Sequence, residues 1–347
     1  MSDALHQSSD SHRGAMRVGF YPGVGNNPYT LRMQSCLPEN HQAVLFPRIK
    51  LLALHRLIRV LPKVDVVLVS WLENCLVDRR TGKARMFGQL TFLVKLYVLR
   101  LFSRRVIMVR HNQFPHSTRP DDQHKIKQLI DHLEQSFDAV ITHSGHQTDH
   151  RYYVPHPLYY ADFPRDNRSH PDPLIEGSYC VAFGRISRYK NLLALVDAWG
   201  VSNQLVIAGK ADDPSYLALL ERAAKGKNVT IAARYWSDDD AYALVAGANA
   251  LVLAHEGSDV VVSGSYFYAI SCGTPVLALT TPFLNWLQEQ QGPAITTTDT
   301  VQKLVEGAGK TTPLTVDDRE SIHRQGVEWF GEGAVRSRLR VLFAGLC

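Results

Sequence analysis

The chain has 347 residues, of which 45% are hydrophobic and 20% charged, and its formal net charge is +5. That length exceeds one ordinary core, so two domains are expected, and the composition excludes a disordered chain. The mild positive charge suits anionic small molecules or an anionic membrane surface, and it falls short of the footprint of a nucleic-acid binder.

The five cysteines, Cys36, Cys75, Cys180, Cys272 and Cys347, are scattered and form no CxxC pair, which reads as inert thiols in a reducing compartment. The first fifteen residues are polar, so residues 1–15 are read as a disordered lead, neither signal peptide nor anchor. No uncharged apolar run reaches the roughly 18 residues that a membrane-spanning helix needs.

Met16–Tyr21 predicts a first strand, followed by a loop rich in glycine and asparagine and a helix over Pro28–Leu37. Gly23 and Gly25 have the first interval of GxGxxG, but no third glycine follows to make a dinucleotide site. These glycines, with Asn26 and Asn27, read either as a backbone approach to a sugar or as a plain turn. Ala43–Phe46 and Val64–Ser70 predict two more strands, the second nearly all apolar as a buried parallel strand should be.

Arg48–Lys63 and Met86–Arg105 predict two helices, both basic and strongly apolar. Each reads as a core helix with snorkelling cations, or as an interfacial helix whose apolar face enters lipid. Val106–Val109 is a strand closing at Arg110, His111 and Asn112. Asp121–Phe137 is an amphipathic helix, and Asp138–Thr142 a strand that ends at His143. His143, His146 and His150 lack the carboxylate or cysteine that would complete a metal site, and are expected to be a solvated cluster.

Asp162–Glu176, rich in Pro, Asp, Asn and Arg, reads as an interdomain linker. Strand and helix then alternate again. Strands are expected at Tyr179–Phe183, Gln204–Ala208, Val229–Ala232 and Ala250–Leu253. Helices are expected at Asn191–Trp199, Ser215–Ala224, Asp238–Ala246 and Tyr266–Cys272, with a helical tail over Asp317–Leu346. Ser237 is the expected N-cap for Asp238, Asp239 and Asp240, which explains that acid run without a metal. The predicted class is therefore α/β, two doubly wound Rossmann-like domains.

The chain is organised around Val181–Asn191, where a strand stops at Gly184 and hands over to a helix through Arg185 and Lys190. Such a loop lies at the carboxyl edge of a sheet, where open α/β folds bind ligands. A guanidinium fork and a mobile ammonium suit a diphosphate; the plainer alternative is two solvated loop cations. Ser263, Gly264 and Ser265 enter the helix at Tyr266, so their amides point at an anion; the alternative is an ordinary N-cap.

With these features in order, the chain resembles the GT-B nucleotide-sugar glycosyltransferases. The residues carrying the resemblance are Arg185 and Lys190 after a strand and glycine, and Ala269–Val276 as a small-residue helix with a Gly-x-Pro-Val turn. A narrower resemblance, to bacterial exopolysaccharide enzymes of the xanthan β-mannosyltransferase kind, runs through Asn27-Pro28-Tyr29, Trp71-x-Glu73, His111-Asn112, Pro115-His116, Gly184 to Lys190 and Ser263-Gly264-Ser265. One departure matters. The Glu-x7-Glu of retaining family-4-like members is replaced here by Val260 and Tyr268, which favours inversion.

The resemblance implies a nucleotide-sugar donor, GDP- or UDP-linked, held by Gly184, Arg185, Lys190, Ser263, Gly264 and Ser265, and no cofactor or metal. Tyr235, beside Trp236, is expected either to border the base or to pack in the core. Asn27, Tyr29, Trp71 and His116 are the expected acceptor contacts, the acceptor being a polyprenyl-diphosphate-linked saccharide at the inner membrane face. Glu73, facing the cleft past strand Val64–Ser70, is the expected base, with His111 binding or orienting. The implied layout is an acceptor domain over residues 16–161, a donor domain over 177–316 and a segment over 317–347 crossing back. The rivals are a non-catalytic nucleotide-sugar scaffold of the same fold and a sugar-nucleotide epimerase. The expected setting is cytoplasmic, peripheral at the membrane.

Overall fold

In a computed structural model the described residues are 15–23, 27–46, 63–115, 117–146, 150–163, 175, 177–201, 203–255 and 262–346. The predicted helix Arg48–Lys63, save Lys63 itself, and most of the predicted linker lie outside them, as do Gly25, Asn26, His116 and Val260.

The first half builds one parallel sheet from β1 (Arg17–Tyr21), β2 (Gln42–Leu45), β3 (Val64–Ser70), β4 (Ser103–Arg110), β5 (Ala139–Thr142) and β6 (Tyr152–Tyr153). Its strand order is β2-β1-β3-β4-β5-β6. Helices α1 (Pro28–Ser35), α2 (Gly88–Phe102) and α3 (Pro120–Glu134) join these strands. Val66, Val67, Val69, Ile107 and Met108 are all 0–1% exposed, because strands covered on both faces must be apolar on both.

The second half repeats the plan with β7 (Tyr179–Phe183), β8 (Gln204–Ala208), β9 (Val229–Ala232), β10 (Ala250–Leu253), β11 (Val276–Leu279) and β12 (Ile295–Thr298). Their order is β12-β11-β10-β7-β8-β9, and every pairing is parallel. The connecting helices are α4 (Leu192–Ala198), α5 (Pro214–Ala223), α6 (Asp238–Gly247), α7 (Gly264–Ser271), α8 (Pro282–Glu289) and α9 (Val301–Gly309). Ser237 caps α6 through Asp240 N–H, so the three aspartates fill its first turn.

The strand order reverses between β1 and β3 in the first sheet and between β7 and β10 in the second. Adjacent loops leave in opposite directions at such a point, and a crevice opens outside the carboxyl ends of the strands. The two crevices position everything below.

Two predicted elements need correction. The helix expected over Met86–Arg105 ends at Phe102, because Ser103 and Arg105 pair in register with Val64 and Val66 of β3. Arg105 is then held by Asp138 at 3.0 Å, so the basic run that resembles a helix C-terminus belongs to a strand. The tail is two helices, α10 (Val316–Phe330) and α11 (Glu332–Leu346), broken at Gly331. A Cβ at Gly331 would collide with the Val327 carbonyl.

Helix α11 returns to the first half. Val335, Leu339, Leu342 and Phe343 bury in one cluster with Val18, Met33, Val66 and Ile107. Arg336 donates to the carbonyls of Leu37 and Ser35 at 3.1 Å each, and Arg32 pairs with Glu332 at 3.1 Å. The halves also meet where Tyr153 and Trp286 pack edge to face, centroids 5.6 Å apart.

Candidate functional site

The crevice of the second sheet is a cavity of about 370 Å³ between the end of β7 and the start of α7. Gly184, at φ +109°, turns the chain out of β7. A Cβ there would stand 2.9 Å from Lys190 Nζ, so glycine serves both the turn and the close approach of the ammonium. Lys190 ends a short 3-10 turn (Arg188–Lys190) and donates to the Phe183 carbonyl at 3.0 Å. Ser265 Oγ donates to the same carbonyl at 3.3 Å.

Burial, and then the neighbouring Arg185, push the Lys190 ammonium down to about 8, with Asp212 opposing. Arg185 is exposed and lies 3.4 Å from Asp212. Ser263 is the N-cap of α7 and makes no side-chain capping bond. The N–H groups of Gly264 and Ser265, at the first two positions of the helix, have no intrahelical acceptors, and both residues line the same cavity as Lys190. Two cations and a helix N-terminus around one void are an arrangement chemically suited to an anion.

Sequence reasoning missed part of the lining. Tyr159, Tyr189, His255 and Tyr268 also wall the cavity. Tyr268 stacks on Phe183 at 5.3 Å and shares a hydroxyl contact of 3.2 Å with Tyr160, so an aromatic pair fills the place of the second glutamate of Glu-x7-Glu. Tyr235 is 80% exposed and does not line the cavity, whereas its neighbour Trp236 is buried under Arg234.

The crevice of the first sheet is a wider cavity of about 640 Å³. Asn27 and Trp71, both expected acceptor contacts, line it, together with Ser70, Arg79, Arg85 and Lys95. Arg185 reaches it from the opposite half, so one guanidinium borders both crevices. Asn27 also caps α1 by accepting from Thr30 N–H at 3.2 Å.

Tyr29 and His111 do not line that wall. Tyr29 is 7% exposed and its hydroxyl donates to His143 Nε2 at 2.8 Å, while His143 Nδ1–H donates to the Val154 carbonyl at 2.7 Å. His143 is therefore buried, not solvated as expected. His111 stacks on Trp71 at 4.8 Å and packs edge to face with Tyr29 at 4.6 Å. Burial and the neighbouring His143 and His156 hold the His111 imidazole well below its ordinary value, and its Nε2 has no hydrogen-bond partner among the described residues.

Glu73 is corrected too. It is 1% exposed and does not line the cavity, although Leu72 and Asn74 do. The cause is Trp71, whose left-handed backbone (φ 55°, ψ 24°) ends β3 and starts a 3-10 turn over Leu72–Leu76 that carries residue 73 inward. A bulky residue in that conformation is strained, and strain of this kind concentrates at working sites. Burial pushes the Glu73 carboxyl up to about 7, and its Oε2 has no hydrogen-bond partner among the described residues.

Among the described residues no group of three or more His, Cys, Asp or Glu side chains is arranged to hold a metal ion. His146 pairs with Ser144 at 2.7 Å and His150 with Glu134 at 3.2 Å, each apart from His143.

Two parallel Rossmann-like sheets with facing crevices and a terminal helix crossing back define the GT-B fold. No family model and no curated protein matches the sequence. Solved structures do match. Anabaena Alr3699/HepE in complex with UDP and glucose superposes with a TM-score of 0.64 at 12% identity, over 95% of this chain and 100% of that one. AviGT4, a glycosyltransferase involved in avilamycin A biosynthesis, matches with a TM-score of 0.56 at 15% identity, over 95% and 98%. The UDP-forming α,α-trehalose-phosphate synthase of Burkholderia xenovorans, in complex with glucose-6-phosphate, gives 0.56 at 12% identity, over 86% and 78%. At these identities the likeness is one of fold.

Proposed function

We propose that this chain is a glycosyltransferase that moves a hexose from a nucleoside diphosphate sugar to a polyprenyl-diphosphate-linked saccharide in exopolysaccharide assembly. The observation that carries the reading is the anion-suited arrangement of Lys190, Arg185 and the α7 N-terminus at the strand reversal of the second sheet. Support comes from the structural neighbours of the same fold that were crystallised with UDP and UDP-glucose.

As the bond to the departing diphosphate breaks, negative charge grows on the bridging oxygen. Lys190, Arg185 and the Gly264 and Ser265 N–H groups stabilise it in place, without solvent reorganisation. The acceptor hydroxyl attacks the anomeric carbon and gives up its proton to a base. We propose Glu73 as that base in preference to His111: its side chain lies behind the crevice wall, between the lining residues Leu72 and Asn74, and must turn into the crevice to take the proton. A carboxylate whose affinity for protons is raised to about 7 holds the proton it takes, whereas an imidazole held well below 6.5 releases it. Tyr268 in place of a donor-site carboxylate favours inversion, and no metal is assigned a part.

The setting we propose is the cytoplasmic face of a membrane. Helix α2 supports it. Leu90, Val94 and Tyr97 on it and Phe87 just before it are 51–62% exposed, and residues 79–105 carry eight Lys or Arg and no acid. An apolar face ringed by cations suits an anionic bilayer.

The deciding experiment is thermal stabilisation by UDP and by GDP, for wild type and Arg185→Ala. A ligand that binds only the native state raises the midpoint with its saturation. A shift with one nucleotide, reduced in the variant, is expected; no shift with either overturns the assignment. A shift without sugar transfer to any lipid-linked acceptor points to the non-catalytic scaffold.

A further inference from the structure

The wide crevice of the first sheet holds a second set of cations that the donor site does not use. Arg79, Arg85 and Lys95 line it, Arg185 joins them from the other half, and no carboxylate is among the lining residues. Like charges converge in this way at a cost unless an anion occupies the space between them.

The cations are held on rigid supports. Val77 and Ala84 pair in an antiparallel bridge that closes a small hairpin. Asp78 ties its turn by accepting from Arg80 N–H at 3.0 Å and Thr81 N–H at 2.9 Å. The hairpin is fastened to the start of α3, where Asp122 accepts from Ala84 N–H at 3.0 Å and Arg119 donates to the Thr81 carbonyl at 2.6 Å. Asp78 also lies 3.6 Å from Arg85, whereas Arg79 and Lys95 make no ion pair among the described residues.

A second observation gives the ligand its chemistry. Lys95 stands on α2, whose other side exposes Leu90, Leu93, Val94 and Tyr97, with Met86 and Phe87 just before the helix, 39–85% exposed. One helix thus presents a cation to the crevice and an unpartnered apolar face to the outside. A diphosphate joined to a hydrocarbon chain meets both demands at once.

We infer that Arg79, Arg85 and Lys95 bind the diphosphate of a membrane lipid, with its hydrocarbon chain running along the exposed face of α2. This rests on the proposed lipid-linked acceptor and names the residues that would hold its charged group. Arg185, which borders both crevices, would then sit between the donor and acceptor diphosphates.

The test is calorimetric titration with farnesyl diphosphate, inorganic pyrophosphate and, separately, UDP and GDP. Wild type is compared with the triple variant Arg79→Gln, Arg85→Gln, Lys95→Gln. Wild type is expected to bind farnesyl diphosphate about tenfold or more tightly than pyrophosphate, and the triple variant to lose about tenfold or more of that affinity with nucleotide binding unchanged. Equal binding of farnesyl diphosphate by both proteins overturns the site. Equal affinity for pyrophosphate and farnesyl diphosphate overturns the lipid assignment in favour of a free anion. Should the triple variant also lose nucleotide binding, Lys95→Gln decides: unchanged farnesyl diphosphate affinity in it overturns the inference. A wild type that binds farnesyl diphosphate but neither nucleotide leaves this site standing and removes the donor reading.

Discussion

The imidazole of His156 lies flat on the ring of Phe267, centroids 4.3 Å apart and planes 10° from parallel. His156 follows β6 of the first sheet, and Phe267 is in α7, whose N-terminus lines the crevice of the second. The stack therefore ties the buried cluster of Tyr29, His111 and His143 to the helix that borders the second crevice.

That cluster predicts an acid limit to stability. Burial is the first cause holding His111, His143 and His156 below 6.5, His143 at about 4. Below 6.5 the unfolded chain therefore binds protons that the folded chain refuses, so stability is complete above that pH and falls as the pH drops toward 4. For His143 alone the full loss is on the order of 3 kcal/mol. Glu73 acts in the opposite sense. Its contribution is present below its ordinary 4.5 and lost as the pH rises through about 7, which offsets one histidine and not three. Calorimetric midpoints should fall from pH 7 to 4.5, and His156→Phe, which keeps an aromatic face on Phe267, should flatten the fall. A midpoint constant over that range contradicts the account.

Lys190 predicts an alkaline limit to nucleotide binding. Only its ammonium binds a diphosphate, and in the free protein that charge is lost as the pH rises through about 8. Affinity for the preferred nucleotide should weaken by up to about tenfold between pH 7 and 9. Lys190→Met should bind more weakly throughout and lose this slope, while Arg185→Ala should weaken binding and keep it. A slope that persists in Lys190→Met would assign the titration to another group.

The base assignment makes its own prediction. Glu73 must be ionised to accept a proton, so kcat/KM should rise with pH through about 7. Glu73→Gln should lower kcat by about 10² to 10⁴ and leave the nucleotide dissociation constant within about twofold. If His111→Ala removes turnover and Glu73→Gln does not, the base is His111.

Membrane attachment is open to a direct test on α2. Wild type should float with phosphatidylglycerol vesicles at low salt and much less with phosphatidylcholine. Leu90→Glu combined with Tyr97→Glu puts two charges on the exposed face and should cut the bound fraction about tenfold. Equal flotation of variant and wild type rules out that face.

What was legible in the sequence was local. Tyr179–Phe183, Gln204–Ala208, Val229–Ala232 and Ala250–Leu253 were readable as strands to the residue, since short runs dominated by apolar and β-branched residues favour an extended backbone in a covered parallel sheet. The Gly184 turn with Lys190 five residues past Arg185 was readable for the same reason, whereas the helix expected from Tyr266 begins two residues earlier, at Gly264. The glycine and the cations each express their conformation within a few residues. The chain by itself thus determined two α/β halves and the presence of an anion-suited loop.

Only the tertiary structure decided which side chains face the crevices. Glu73 reads as a cleft residue by its distance from β3, yet the left-handed turn at Trp71 rotates it inward, a conformation no sequence rule assigns to tryptophan. Tyr29 and His143 are 114 residues apart, and their hydrogen bond exists because β1 and β5 end at the same edge of one sheet. Ser103 to Arg105 read as a helix end until β3 supplied a partner for them. Arg79, Arg85, Lys95 and Arg185 form one cationic wall only after a hairpin, a helix and the opposite half of the molecule are brought together. Strand runs and turns follow from short-range sterics and solvation; which groups converge on a site follows from the order of the strands, and that order is fixed by packing across the whole chain.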